Sequence, residues 1–142
     1  LEYDPDDINK LLKKIVGKTK IAVYGSRYKT VKILNKLFTK NQSFFAAIFN
    51  YFLSFYFYLK TRVYITDLLT GYKVYHKKFF NFNNIISKGF EADHEITIKL
   101  LKAGYKIQEV PIKYSPRSKK EGKKINFKDA IKAILVINDQ IK

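Results

Sequence analysis

The opening stretch, LEYDPDDINKLLKKIVG, sets apolar side chains at Ile8, Leu11, Leu12, Ile15 and Val16. That spacing predicts an amphipathic helix with Asp4 as N-cap, Pro5 in its first turn and Gly17 at its end. Ile21, Ala22, Val23 and Tyr24 then form a short apolar run that reads as a buried strand stopped by Gly25, with Ser26 and Arg27 in the loop beyond. A helix, a strand and a polar loop in that order belong to an α/β sheet, where ligands sit beyond the carboxyl ends of strands. Residues 29–42 are basic, and Val31, Ile33, Leu34, Leu37 and Phe38 fall on one face of a further helix.

The run SFFAAIFNYFLSFYFYL, residues 43–59, is apolar and aromatic almost throughout. A membrane-crossing helix needs roughly 17–25 such residues, so the length sits at the lower limit. Ser43, Asn50 and Ser54 interrupt the run, and its Tyr and Phe content suits an interface better than a bilayer centre. Three readings stay open: a buried core helix, a helix lying in a membrane interface, and a true span. Lys36, Lys40, Lys60 and Arg62 flank the run, as anionic headgroups favour.

VYIT (63–66) is strand-like and leads into TDLLTGYK, then VYHKKFF, then a loop marked by Asn81, Asn83 and Asn84. GFEADHEITIKLLKAGY predicts a helix from about Asp93 to Ala103, closed by Gly104. KIQEVPIKY alternates as a strand, with Pro111 arguing for an edge or a strand end. SPRSKKEGKKINF is a basic loop, and FKDAIKAILVINDQ is an amphipathic helix with Ile131, Ile134, Leu135 and Asn138 on one face. No internal repeat and no linker divide the chain, so residues 1–142 read as part or all of one mixed-sheet α/β domain.

Composition narrows the chemistry. Hydrophobic residues make up 46% and charged residues 28%, which excludes a disordered chain and a wholly membrane-embedded one. The absence of cysteine excludes disulfides, zinc-thiolate sites and a thiol nucleophile. His76 and His94 are too few for a histidine-rich metal site. A net charge of +16 attracts phosphates, whether of nucleic acid, an anionic membrane or a phosphorylated substrate. An AT-rich coding sequence is the competing explanation for part of the lysine excess, though not for where the charges cluster. The chain begins at Leu1 without a signal-peptide pattern and is expected to be a piece of a longer protein.

Four stretches carry candidate chemistry. SPRSKKEGKK, residues 115–124, gathers Arg117, Lys119, Lys120, Lys123 and Lys124 around one acid, Glu121. Such a loop is either a solvated basic turn or an anion site, because arginine grips two oxygens at once and lysine adds point charge. YGSR, residues 24–27, sets Arg27 just past a buried strand. FEADHEIT, residues 90–97, crowds Glu91, Asp93, His94 and Glu95 at a helix start, where acids favour the helix dipole; Glu95 could instead order a basic loop by pairing with its arginine. TDLLTGYK, residues 66–73, reads as a turn with Asp67 capping it, Gly71 supplying a positive φ and Lys73 pointing at water. No RRM, KH, helix-turn-helix or zinc-finger pattern accompanies the basic run, and its aromatics are not interleaved with it.

Taken in order, LEYDP, YGSR, TDLLTGYKVY, GFEADHEIT and KIQEVPIKYSPRSKKEGKKI resemble the second half of a glycosyltransferase family 2 enzyme. The resemblance leans towards the dolichyl-phosphate mannosyltransferases and bacterial polyprenyl-phosphate sugar transferases. It implies the C-terminal part of a GT-A, Rossmann-like domain: a mixed sheet flanked by helices. It also implies inverting transfer of a sugar from a nucleotide sugar to a polyprenyl (dolichyl-type) phosphate, at the cytoplasmic face of a membrane, with no nucleic acid partner. Under it, Asp67 is the candidate catalytic base or acceptor-positioning acid. Arg27, Lys73, Arg117, Lys123 and Lys124 are candidate phosphate ligands, and Gly71 and Glu95 support them. The family's Asp-x-Asp motif, which holds Mg²⁺ or Mn²⁺, would fall immediately before LEYDP. The 142 residues are then expected to be the acceptor side without the nucleotide-binding half, inactive alone, with no metal ligand of their own. The competing reading is a basic, non-enzymatic module that binds nucleic acid or anionic membrane.

Overall fold

The computed structural model describes residues 2–29, 44–79, 85–115 and 127–141. The helix expected over 29–42 and the basic loop with Arg117, Lys123 and Lys124 lie outside the described residues, save for a few at their ends. The architecture is mixed α/β, with helices on both faces of a three-stranded sheet.

Helix α1 spans Asp6–Ile15. Pro5 is already helical at φ −58°, and Asp6 N–H donates to Asp4 Oδ1 at 3.0 Å, so Asp4 caps the first turn. Gly17, at φ +71°, turns the chain out of the helix. The buried row is Asp7, Leu11 and Ile15, not the whole apolar set: Ile8, Leu12 and Val16 face outward. Asp7 is buried because it accepts from Lys113 N–H at 2.7 Å and pairs with Lys10, tying α1 to the segment after the last strand.

Strand β1 (Ile21–Ser26) forms the centre of the sheet, with β2 (Lys73–Val74) antiparallel on one side and β3 (Lys106–Pro111) parallel on the other. β1 does not stop at Gly25. It runs through to Ser26, opposite Pro111, and Gly25 N–H donates to Tyr72 O at 2.8 Å. The glycine answers a packing need: a Cβ there would stand 2.9 Å from the Ile112 side chain and 3.1 Å from Tyr72 Cβ. Pro111 ends β3, an edge strand where its missing N–H leaves no ladder bond broken. Residues 63–66, expected as strand, form no strand and lead irregularly into the loop instead.

Alternation along β1 builds two cores. Val23 points to one face and meets Leu11, Ile15 and Val110. Ala22 and Tyr24 point to the other, where α2 (Phe44–Thr61), α3 (Ala92–Lys102) and α4 (Phe127–Gln140) contribute Leu53, Phe57, Ile98, Leu100, Ala133 and Ile137. Each fully buried Leu, Ile or Phe among them contributes about 1.5–3 kcal/mol. On α4 the buried row is Ala133 and Ile137, with Ile131 and Leu135 turned outward. Asn138 accepts from Tyr56 OH at 2.7 Å and so ties α4 to α2.

Helix α2 is neither wholly buried nor a span. No described helix is long and apolar enough to cross a membrane. Ala47, Asn50, Leu53, Ser54 and Phe57 face the core, while Ile48, Phe52, Phe55 and Leu59 form a row on the opposite face, each about half exposed. Tyr51, Tyr58 and Tyr64 line one border of that row, and Tyr58 and Tyr64 meet edge to face at 6.2 Å.

Candidate active site

The site is built where β1 ends. Ser26 closes the strand, and Arg27 follows it at the strand's carboxyl end, the side on which α/β sheets bind ligands. The TDLLTG loop returns to this point from α2 and sets Asp67, fully buried, against Arg27. Arg27 Nε donates to Asp67 Oδ2 at 2.7 Å, Nη2 to Oδ1 at 2.7 Å, and the Arg27 backbone N–H to Oδ2 at 3.0 Å. This is a bidentate fork with a backbone anchor. The guanidinium side chain is 10% exposed. Burial works against its charge, but the Asp67 bonds and charge more than offset that and raise its pKa above the ordinary arginine value. A guanidinium carries more N–H donors than one carboxylate can take.

Tyrosines surround the pair. The Arg27 guanidinium lies 4.9 Å from the Tyr114 ring centroid and 5.4 Å from that of Tyr28. Tyr3 stacks on Tyr72 at 4.7 Å, lies 5.1 Å from Tyr114, and accepts Gly71 N–H on its hydroxyl at 3.1 Å. Gly71 therefore does not supply a positive φ, since its backbone is outside that region. Its bare Cα instead sits against the Tyr3 ring, which a Cβ would approach to 3.4 Å.

Lys73 does not point at water. Its Nζ donates to Leu68 O at 3.2 Å and Thr70 O at 2.9 Å and pairs with Asp93 Oδ1 at 2.8 Å. An ammonium has one donor for each of these partners and none to spare, so Lys73 clamps the loop and has no donor left for a phosphate. Burial lowers its pKa, with Asp93 opposing. Arg27, Asp67, Lys73 and Asp93 thus alternate in charge and sum locally to neutrality.

Glu109 on β3 was not singled out from the sequence, yet it grips the other end of the loop. Its carboxylate accepts from Thr66 N–H at 3.0 Å, Thr66 Oγ1 at 2.9 Å and Asp67 N–H at 3.2 Å. The signal was available in the inward, alternate position of an acid between apolar residues of KIQEVPIKY. Asn50 of α2 adds a bond from Nδ2 to Thr66 O at 2.9 Å. Glu95 pairs with Lys99 at 2.7 Å and accepts from the N–H groups of Ile86 and Ser87, so among the described residues it orders the segment before α3. Burial works against its charge, but those bonds bring its pKa down to about 2.

His94 is fully buried, with neither ring nitrogen bonded. Burial and the Lys73 charge push its pKa from 6.5 down to about 3. The unfolded chain therefore binds a proton, below pH 6.5, that the folded chain refuses until about pH 3. Stability is expected to fall by about 2 kcal/mol between pH 7 and pH 5. His94→Gln should flatten that decline in denaturant melts across this window, which lies above the range where Glu95 titrates. An unchanged slope in the variant would remove His94 as the cause.

Arg117, Lys123 and Lys124 lie outside the described residues. Among the described residues, no group of three or more His, Cys, Asp or Glu could hold a metal ion, and Asp67 and Asp93 are each paired with a cation. The described residues do not fit the Mg²⁺ or Mn²⁺ that the resemblance implies.

No protein-family model matches the chain, and no solved structure matches it significantly. Over 114 residues the chain is 32% identical to the UDP-N-acetylglucosamine–dolichyl-phosphate N-acetylglucosaminyltransferase of Methanococcus voltae, a match that covers 79% of this chain and 43% of that protein. The chain is thus related in sequence to a dolichyl-phosphate sugar transferase, of which it spans less than half the length.

Proposed function

We propose that the chain is the acceptor-side part of a glycosyltransferase that moves a sugar from a nucleotide sugar to a polyprenyl phosphate of the dolichyl type at a membrane surface. The observation that carries this reading is the buried Arg27–Asp67 fork at the carboxyl end of β1, within a chain similar to a dolichyl-phosphate transferase.

A phosphate acceptor is already anionic near neutral pH and needs little deprotonation. The harder task is to bring it close to a nucleotide diphosphate, which requires fixed cations in a site that excludes water. Arg27 is such a cation, and Asp67 acts by aiming it. The carboxylate of Asp67 is buried and both its oxygens accept from Arg27, so it is poorly placed to take a proton from an acceptor. Since the Arg27–Asp67–Lys73–Asp93 ladder is neutral, the excess positive charge for two anions falls to Arg117, Lys123 and Lys124 and to exposed lysines such as Lys29.

The outward row of α2 supports the membrane part of the reading. Ile48, Phe52, Phe55 and Leu59 are apolar, tyrosines border them, and Lys60 and Arg62 follow at the helix end, as an interfacial helix requires. The core side of the same helix bonds Thr66, so the lipid-facing row and the site loop are separated by one helix diameter, about 10 Å.

The test is sugar transfer by the full-length protein into a polyprenyl phosphate in vesicles, across a panel of nucleotide sugars that includes UDP-N-acetylglucosamine, with duplex DNA as competitor. Transfer to the lipid with at least one donor, undisturbed by DNA, is expected. Absence of transfer with every donor, together with steeply salt-dependent DNA binding, would overturn the reading.

A further inference from the structure

We propose that Glu109 is a positioning residue for sugar transfer: it fixes the loop that presents Asp67, and through Asp67 it sets the aim of the Arg27 guanidinium. The inference rests on the transferase reading above, in which Arg27 faces the phosphates.

The geometry makes Glu109 the end of a directed chain. A carboxylate only accepts, so the Thr66 hydroxyl donates to it at 2.9 Å. With its proton committed, Thr66 Oγ1 accepts from Ser26 Oγ, 2.6 Å away. Ser26 Oγ in turn accepts Tyr28 N–H at 3.1 Å. The direction therefore runs from Tyr28 through Ser26 and Thr66 to Glu109. These residues bracket the fork on both sides: Ser26 and Tyr28 flank Arg27, and Thr66 precedes Asp67. Glu109 also receives the backbone N–H groups of Thr66 and Asp67, which fixes the peptide plane from which the Asp67 side chain departs. Its carboxylate bonds Thr66 and Asp67 while Arg27 bonds Asp67, so it acts through the loop. A carboxylate held behind a fork in this way sets distances that must be correct to a fraction of an ångström, and a misplacement of about 1 Å can lower a rate about 100-fold.

Glu109→Ala and Glu109→Gln in the full-length protein separate positioning from mere stability. The glutamine Oε1 still accepts from the Thr66 hydroxyl and from the Thr66 and Asp67 N–H groups, but it is a neutral and weaker acceptor, and its amide stands where Oε2 takes Thr66 N–H at 3.1 Å; the alanine accepts nothing. The expected result is a kcat about 100-fold lower for Glu109→Ala, partial recovery to within about tenfold of wild type for Glu109→Gln, and donor KM changed by less than about threefold in both. Losses that follow only the melting temperature, without recovery by glutamine, would overturn the proposal. A second readout does not need activity: hydrogen exchange at Arg27 Nε–H, followed by nitrogen-15 NMR, should be faster by at least about tenfold in Glu109→Ala and intermediate in Glu109→Gln. Unchanged exchange in Glu109→Ala would overturn the proposal even if the wild-type protein proves not to be a transferase. Wild-type protein without transfer, but with the expected exchange pattern, would instead count against the transferase reading alone.

Discussion

Replacing Asp67 with alanine is expected to lower sugar transfer by the full-length protein about 10²–10³-fold and to destabilise the fold by about 3–5 kcal/mol. The two effects share one cause. Arg27 is 10% exposed, and among the described residues Asp67 is the acid paired with it. Removing one partner leaves a buried, unpaired guanidinium, and a group in that position either drags the site open or turns away. Asp67→Asn should be milder in stability, because its amide oxygen still accepts one bond, but transfer should fall in the same direction.

The double variant Arg27→Ala, Asp67→Ala separates the two roles open to Asp67. If Asp67 only aims Arg27, its loss adds nothing once Arg27 is gone, and the double variant is no slower than Arg27→Ala. If Asp67 takes a proton from the acceptor, the two losses multiply. Near-normal turnover in Asp67→Asn would remove both roles.

Replacing Phe52 and Phe55 together with serine is expected to weaken binding of the full-length protein to anionic vesicles by about 30- to 1000-fold, with little change in thermal stability. Both rings stand half-exposed on the outward row of α2, opposite the core face, so the fold does not rest on them. Burying a phenylalanine in an apolar phase is worth about 1.5–3 kcal/mol, and these rings are already partly covered, so two of them together account for about 2–4 kcal/mol. At about 1.4 kcal/mol per decade, that is the stated loss of affinity. Vesicle co-sedimentation at fixed salt reads it directly. A variant that still binds as wild type would mean that α2 does not face lipid, and that the exposed row meets something else.

The outline of the fold was legible in local pattern. The first helix with its Asp4 cap and Gly17 stop, the buried strand after it, the helix closed by Gly104 and the edge strand ending at Pro111 all follow from periodicity and from what glycine and proline do to a backbone. The mixed sheet between helices follows from that order. Which rows of the helices are buried was not legible. The apolar set Ile8, Leu11, Leu12, Ile15 and Val16 is wide enough to face the sheet in two ways, and the bonds of Asp7 to Lys113 N–H decide for Leu11 and Ile15. The strand reading of residues 63–66 failed for a similar reason. The backbone of Thr66 is claimed by Glu109 and Asn50, and that of Val63 by the Thr61 hydroxyl, rather than by a sheet neighbour.

The site divides along the same line. That an acid, a glycine and a lysine share one loop, that an arginine follows a buried strand, and that an aromatic run stands between the two are matters of neighbours along the chain, and local pattern alone supplies them. What they do to one another is set by contacts between segments far apart in the chain. Asp67 and Arg27 are 40 residues apart and meet as a fork. Lys73, which local spacing would leave in water, is buried under the loop it clamps. Gly71 serves the ring of Tyr3, 68 residues away, rather than a turn. Glu109, an unremarked acid in an alternating strand, carries the loop's first two N–H groups. Side-chain direction and burial are set by contacts between distant segments, and periodicity reports only which face a residue shares, never what stands opposite it.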